Sequence, residues 1–148
     1  MAFIDSSSIE VCHNKRITRN KVFKGLAKRG KTTSGWFYGF KLHLIINEKG
    51  EVPSFQLTPG NVSDVSIVDI LSKDLMGKLF GDKGYLSTHL KQKLINRGLE
   101  LLTSIRSNMK QKLMSFQDKI LLRKRSIIET VNDQLKIFLK SNILVIEA

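Results

Sequence analysis

Three carboxylates stand at positions where chemistry could need them. Asp5 follows the apolar run Ala2-Phe3-Ile4, Asp82 ends Lys78-Leu79-Phe80-Gly81, and Glu129 lies in the last long helical pattern. Hard oxygen donors of this kind suit Mg²⁺, which takes a few carboxylates together with water and substrate phosphate. A two-metal site uses such a cluster to activate the attacking oxygen and stabilise the leaving one in phosphoryl transfer. Acids far apart in sequence meet when neighbouring strands end on one side of a sheet and a helix crosses them. Two strand ends and one helix meet that requirement. The plainer alternatives are a turn residue for Asp82, set between Gly81 and Lys83, and a surface ion pair between Glu129 and Arg125. Such an i,i+4 pair is worth only about a few tenths of a kcal/mol. Spacing alone leaves both open.

The elements that must position these acids read as follows. Residues 2–11 form a short apolar strand piece, then Asp5, then a serine turn. Residues 15–31 hold eight cations and no acid, with Gly25 and Gly30 breaking any helix, and predict a long, basic, partly extended loop. Residues 36–58 predict a β-hairpin: Phe37, Phe40, Leu42, Leu44 and Ile46 on one strand, a turn at Asn47-Glu48-Lys49-Gly50, and Val52, Phe55 and Leu57 returning. A helix follows from Asp64 to Leu71, capped by Ser63 or Asn61. Next come a strand over 78–82, a helix from the Ser87 cap to Arg97 stopped by Gly98, a strand over Leu99–Ile105, and a long helix from Phe116 to Leu139. On that helix Arg125, Glu129 and Lys136 fall within about 60° of one another. Ile127, Val131, Leu135 and Phe138 occupy another face, expected to pack on the sheet. The alternation implies an α/β fold, a mixed sheet with flanking helices.

The charge narrows the partner. Against 13 Asp+Glu there are 25 Lys+Arg, a net charge of +12 in 148 residues. That excess points to a polyanion, with nucleic acid first. Lys15, Arg16, Arg19, Lys21, Lys24, Lys28, Arg29 and Lys31 are the expected phosphate contacts, with Arg125 and Lys136 from the helix. No apolar run approaches the roughly 20 residues of a membrane span, and no signal peptide pattern begins the chain. The one cysteine, Cys12, allows neither an internal disulfide nor a cysteine zinc site and reads as a small buried apolar residue. His43, Trp36 and Asn61 read as core or turn residues, and His13 and His89 as surface residues. Tyr85 fits either packing or DNA contact.

The stretches FIDSSSIEVCHNKR, GWFYGFKLHLIINEKGEV, LTPGNVSD, LFGDKGY and RSIIETVNDQLK, in that order, resemble the DDE transposases of bacterial insertion sequences. Each alone is weak; five in order are specific. The resemblance implies a ribonuclease H-like fold in which Asp5, Asp82 and Glu129 are the catalytic acids and hold two Mg²⁺ or Mn²⁺ ions. The family spacing of arginine, glutamate and lysine is kept as Arg125, Glu129 and Lys136; the tyrosine often found before the arginine is replaced by Leu122. The implied activity is metal-dependent cleavage and strand transfer of DNA, on transposon ends and target, by a homodimer in the DNA complex, in the bacterial cytoplasm at the nucleoid. With Asp5 so near the start, the family's amino-terminal helical DNA-binding domain is expected to be absent. The expected organisation is therefore a catalytic domain over 1–140 and a divergent tail over 141–148, a truncated copy with a stunted strand under Asp5 and marginal stability. A non-catalytic basic nucleic-acid-binding module is the rival reading, and a nuclease of the same fold without strand transfer a third.

Overall fold

The computed structural model describes residues 1–103 and 126–147. The expected strand end at Ile105, the expected helix start at Phe116, Leu122 and Arg125 lie outside the described residues.

Six strands form one sheet: β1 (Ala2–Cys12), β2 (Lys28–Thr32), β3 (Gly35–Asn47), β4 (Ser54–Pro59), β5 (Gly77–Gly81) and β6 (Leu99–Thr103). Their order is β2-β3-β1-β5-β6, with β4 also paired to β3. β3 runs antiparallel to β1, β2 and β4, whereas β1, β5 and β6 are mutually parallel. β2 and β4 share one edge of β3, β2 along its first residues and β4 along its later ones. Among the described residues three α-helices accompany the sheet: α1 (Asp64–Leu71), α2 (Thr88–Ile95) and α3 (Ser126–Glu147).

The expected serine turn is absent. Ser6, Ser7 and Ser8 continue β1 and face His43, Leu42 and Lys41 on β3. Serine favours turns because its side chain offers the backbone a local alternative, but here the β3 ladder satisfies the same backbone groups. The strand under Asp5 is therefore not stunted: β1 has 11 residues and lies inside the sheet between β3 and β5. The basic loop is also more ordered than its composition suggests. Asn14–Arg19 is a 3₁₀ turn whose Lys15 N–H is accepted by His13 Nδ1, and Lys28–Thr32 is the edge strand β2. Charged side chains hide that strand because an edge strand needs no apolar alternation on its outer rim. The hairpin over 36–58, the helix Asp64–Leu71 and the Ser87 cap, whose Oγ accepts the Leu90 N–H at 3.3 Å, form as the residues predict, but Ser63 stands at the N-cap of Asp64–Leu71 without a side-chain hydrogen bond to it.

Strand alternation divides the core in two. Ala2, Ile4, Ile45, Leu79, Leu99 and Leu101 turn to one face and meet Ile67, Val68 and Leu71 of α1 with Leu90 and Leu94 of α2. Phe3, Ile9, Leu42, Leu44, Ile46 and Phe80 turn to the other and meet Ile128 of α3. The result is an α/β/α sandwich. Across the first face Asp69 ties α1 to α2 through Lys93 at 2.7 Å and Arg97 at 3.3 Å. The Lys93 hydrogen bond, with both cations adding, lowers the Asp69 carboxyl below its ordinary pKa. On α3 the stripe against the sheet runs Ile128, Asn132, Leu135 and Leu139. Phe138, expected in the core, is 65% exposed; it falls roughly 90° off that stripe.

Gly39 lies in β3 against β1, and a Cβ there would strike the Ile9 carbonyl. That neighbour is backbone and cannot swing aside. Gly39→Ala is expected to cost about 1–3 kcal/mol, read as a lowered urea midpoint. Gly84→Ala, with open space around the new methyl, serves as the tolerated control.

Candidate active site

β1 and β5 pair in parallel with Ala2 beside Leu79 and Phe3 beside Phe80. Two residues further along each strand stand Asp5 and Asp82. Asp82 keeps an extended backbone (φ −77°, ψ 170°), so the alternation carries through it. Both aspartates are therefore level on neighbouring strands and belong to the face of Phe3 and Phe80, the face that α3 covers. Gly81, buried between Phe80 and Asp82, keeps the strand end close to β1: a Cβ there would press on Ile4 and the Tyr85 ring.

Asp5 is half-buried. Its Oδ1 accepts the Ser6 N–H at 2.9 Å, and its Oδ2 accepts a hydrogen bond from Asn132 Nδ2 at 3.1 Å. Asp82 is exposed, and its Oδ1 accepts the Lys83 N–H, capping the short turn Lys83–Tyr85. Turn residue and candidate ligand are thus not exclusive roles for Asp82. Glu129 is exposed on α3, one turn before Asn132 and about 60° around the helix from it. The structure brings Asp5 and Asp82 together and clamps the helix that carries Glu129 to Asp5 through Asn132. Lys136, half-buried one turn after Asn132, lies on the same flank. Among the described residues no three His, Cys, Asp or Glu side chains gather closely enough to hold a metal ion. The donor set itself, two aspartates side by side and a glutamate on the covering helix, is of the hard-oxygen kind that Mg²⁺ and Mn²⁺ accept.

Behind the aspartates, on the α1 face, lies a polar group enclosed by the core. His43 is buried and its Nε2 bonds Thr58 Oγ1 at 2.8 Å. Lys41 Nζ reaches Asp64 Oδ1 at 3.2 Å and the Val62 carbonyl at 3.0 Å. Burial lowers the His43 pKa below its ordinary value; Asp64 opposes the shift and Lys41 adds to it. Tyr85 is buried and so packs, and among the described residues no hydrogen bond of full geometry reaches its hydroxyl. Burial pushes the Tyr85 hydroxyl far above the usual tyrosine pKa, with the Asp64, Asp5 and Asp82 carboxylates adding and the nearby Ser6 hydroxyl opposing.

All eight cations of the basic segment are exposed: Lys15, Arg16 and Arg19 on the 3₁₀ turn, Lys21 and Lys24 on the turns after it, and Lys28, Arg29 and Lys31 on β2. Arg125, grouped with them from the sequence, lies outside the described residues. His43 is a core residue and Asn61 an exposed turn residue, as expected, and His13 and His89 are exposed. Trp36 is neither core nor turn: it lies in β3 and is 57% exposed. Cys12 is half-buried.

Two parts of the site escape a reading of the sequence. Asn132 carries a sequence signal only in its spacing, three residues after Glu129. The Lys41–Asp64 pair joins a strand to a helix start 23 residues later, and no local pattern marks such a contact.

The family model described as "Transposase DDE domain" matches residues 1–145. Among solved structures the chain is similar to one chain of the cryo-EM structure of the piggyBac transposase synaptic complex with hairpin DNA, at TM-score 0.50 and 16% identity. The likeness covers 76% of this chain and 24% of that one, so this chain spans about a quarter of that protein. No curated protein matches. The sheet order and the likeness agree on a ribonuclease H-like fold.

The buried imidazole sets a pH dependence. Because the folded pKa of His43 is lowered, the unfolded chain binds the proton more readily than the native one. Stability is therefore full above the unfolded pKa of 6.5 and falls as pH drops from there toward the folded value. Urea unfolding between pH 7.5 and 5 is expected to show this loss, and His43→Gln to flatten the slope in that window.

Proposed function

The chain belongs to the transposase DDE domain family, and on that premise we propose that it cleaves and transfers DNA strands with Asp5, Asp82 and Glu129 as its catalytic carboxylates. The observation that carries the reading is the parallel register that sets Asp5 level with Asp82, on the face of the helix bearing Glu129. The expected substrates are the ends of an insertion sequence and a target duplex, held by a pair of copies. The three carboxylates would hold Mg²⁺ or Mn²⁺. When bound, such ions supply an activated water and stabilisation of the leaving oxygen.

The chain's own residues have separable tasks in this reading. Asn132 and the Ser6 N–H fix the direction of the Asp5 carboxylate. Capping of the turn by Asp82 fixes the end of β5. Tyr85 and Ile4, packed around Gly81, hold that strand end against β1 from behind. The exposed cations from Lys15 to Lys31, with Lys136 beside Glu129, bind phosphates and so orient the duplex without reading bases.

The test is nicking of a labelled transposon-end duplex with Mg²⁺. Asp5→Asn and Asp82→Asn are each expected to lower nicking about a hundred-fold or more, roughly 2.7 kcal/mol in barrier, while leaving DNA affinity nearly unchanged. Lys28→Ala should leave the chemistry intact and reduce the slope of log affinity against log salt by about one. Joining of the cut end to a target plasmid separates a transposase from a nuclease. Equal nicking by the wild type and both aspartate variants would leave only the basic binding module.

A further inference from the structure

The β2–β3 hairpin carries a feature that the catalytic reading does not use. Its strands pair Lys31 with Trp36 and Arg29 with Tyr38. Side chains of such pairs share a face of the sheet. Counting along β3 from Leu44, the partner of Asp5, Trp36 is eight residues away and so on the Asp5 face. Between them that face is filled: Tyr38 and Phe40 lie under Phe23 and Ile17, with Phe23 edge-on to Phe40 at 5.7 Å between ring centres. Trp36 stands beyond this cover, 57% exposed. Burying an indole would stabilise the fold, and this one is left in solvent although Tyr38, two residues on in the same strand, is buried.

Its backbone is nonetheless held. Asn14 Nδ2 donates to the Trp36 carbonyl at 3.0 Å, and Thr32 Oγ1 donates to the Gly35 carbonyl at 3.3 Å across the hairpin end. Gly35, at φ 123°, makes the turn into the strand without steric cost. Lys31 Nζ lies over the indole, 5.6 Å from its centre, which places a cation beside one face of the ring. No acid occurs between Glu10 and Glu48, so neither strand of the hairpin carries a carboxylate.

We infer that Trp36 is a stacking platform for an unpaired nucleobase, with Lys31 and Arg29 holding the phosphates of the same strand. The inference rests on the reading of the chain as DNA-binding and adds a second contact of a different kind. The ligand is a single strand rather than a duplex, because a paired base inside a helix already has both faces stacked. Eight residues of strand span about 26 Å, so the platform lies well away from Asp5 and Asp82. It would hold a strand that runs from the aspartates across the basic segment.

Trp36 is the chain's single tryptophan, so its fluorescence reports on this site alone. The experiment titrates the full chain with a 20-nucleotide oligo(dT) and with the matching duplex, at several salt concentrations. Single-stranded DNA is expected to quench Trp36 more than the duplex does. Base–aromatic stacking is worth about 1–3 kcal/mol. Trp36→Ala should therefore weaken single-strand binding roughly 5- to 150-fold, and Trp36→Phe less. Both should leave the salt slope and the duplex affinity within about two-fold, whereas Lys31→Ala should lower the salt slope. Single-strand binding that leaves the fluorescence unchanged, or a Trp36→Ala loss equal for both DNA forms, overturns the platform while the DNA reading stands. Absence of salt-dependent binding to either form overturns the DNA reading and the platform with it.

Discussion

β1 and β5 enter register at Ala2–Leu79 and Phe3–Phe80, and the rest of the site follows from that pairing. A slip of one residue in either strand would turn its whole side-chain set to the opposite face. Phe3 and Phe80, both fully buried with ring centres 5.7 Å apart, make such a slip costly. Exposing either ring would forfeit a large apolar area. The aspartates are held level because the apolar residues two positions earlier have only one register in which both are buried. Core packing and site geometry are here the same constraint.

The covering helix is fixed by a different kind of contact. Its apolar stripe, Ile128, Leu135 and Leu139, could slide along the sheet by small amounts at little cost. Asn132, buried in the same stripe, cannot, because its amide hydrogen bonds to Asp5 at 3.1 Å. A buried amide deprived of its partner costs about 1–3 kcal/mol. One polar contact therefore registers α3 against β1, and with it the position of Glu129 relative to Asp5. Apolar area supplies the attraction, and the hydrogen bond selects where along the sheet the helix stops.

Much of the architecture was legible where one local signal dominated. Asp64 to Leu71 reads as a helix from its start signals and apolar spacing, Ser87 as a cap, and 36–58 as a hairpin from its alternation and the Asn47–Gly50 turn. The misses share a cause: a partner distant in sequence overrides the local preference. Ser6 to Ser8 look like a turn until β3 lies beside them. Lys28 to Thr32 look like a loop because an edge strand can be charged on its outer rim. Phe138 looks like core because the helix pattern shows which residues are apolar but not how the helix rolls on the sheet. The pairing of Asp5 with Asp82 was legible only as a motif, since strand register between residues so far apart leaves no local trace. The bond of Asn132 to Asp5, 127 residues apart, left no local trace for the same reason.

The length mismatch between β1 and β5 explains how one small domain could serve both charge demands of the proposed chemistry. β5 ends at Gly81, level with Ile4, but β1 runs on to Cys12 and carries β3 with it. Beyond Asp82 the sheet narrows to a ribbon edged by β2, and the exposed cations gather there. Carboxylates repel a phosphate backbone, so a site built on Asp5, Asp82 and Glu129 needs favourable charge elsewhere to bring DNA near it. Lys28, Arg29 and Lys31 on β2, which pairs with β3, and the other five cations on the connection between β1 and β2, are tied in position to the aspartates through the same sheet. The interaction between exposed charges fades beyond roughly 8–10 Å at physiological salt, less than the length of the ribbon. In the proposed chemistry the cations would hold DNA without neutralising the carboxylates, whose charge would remain available to a divalent ion.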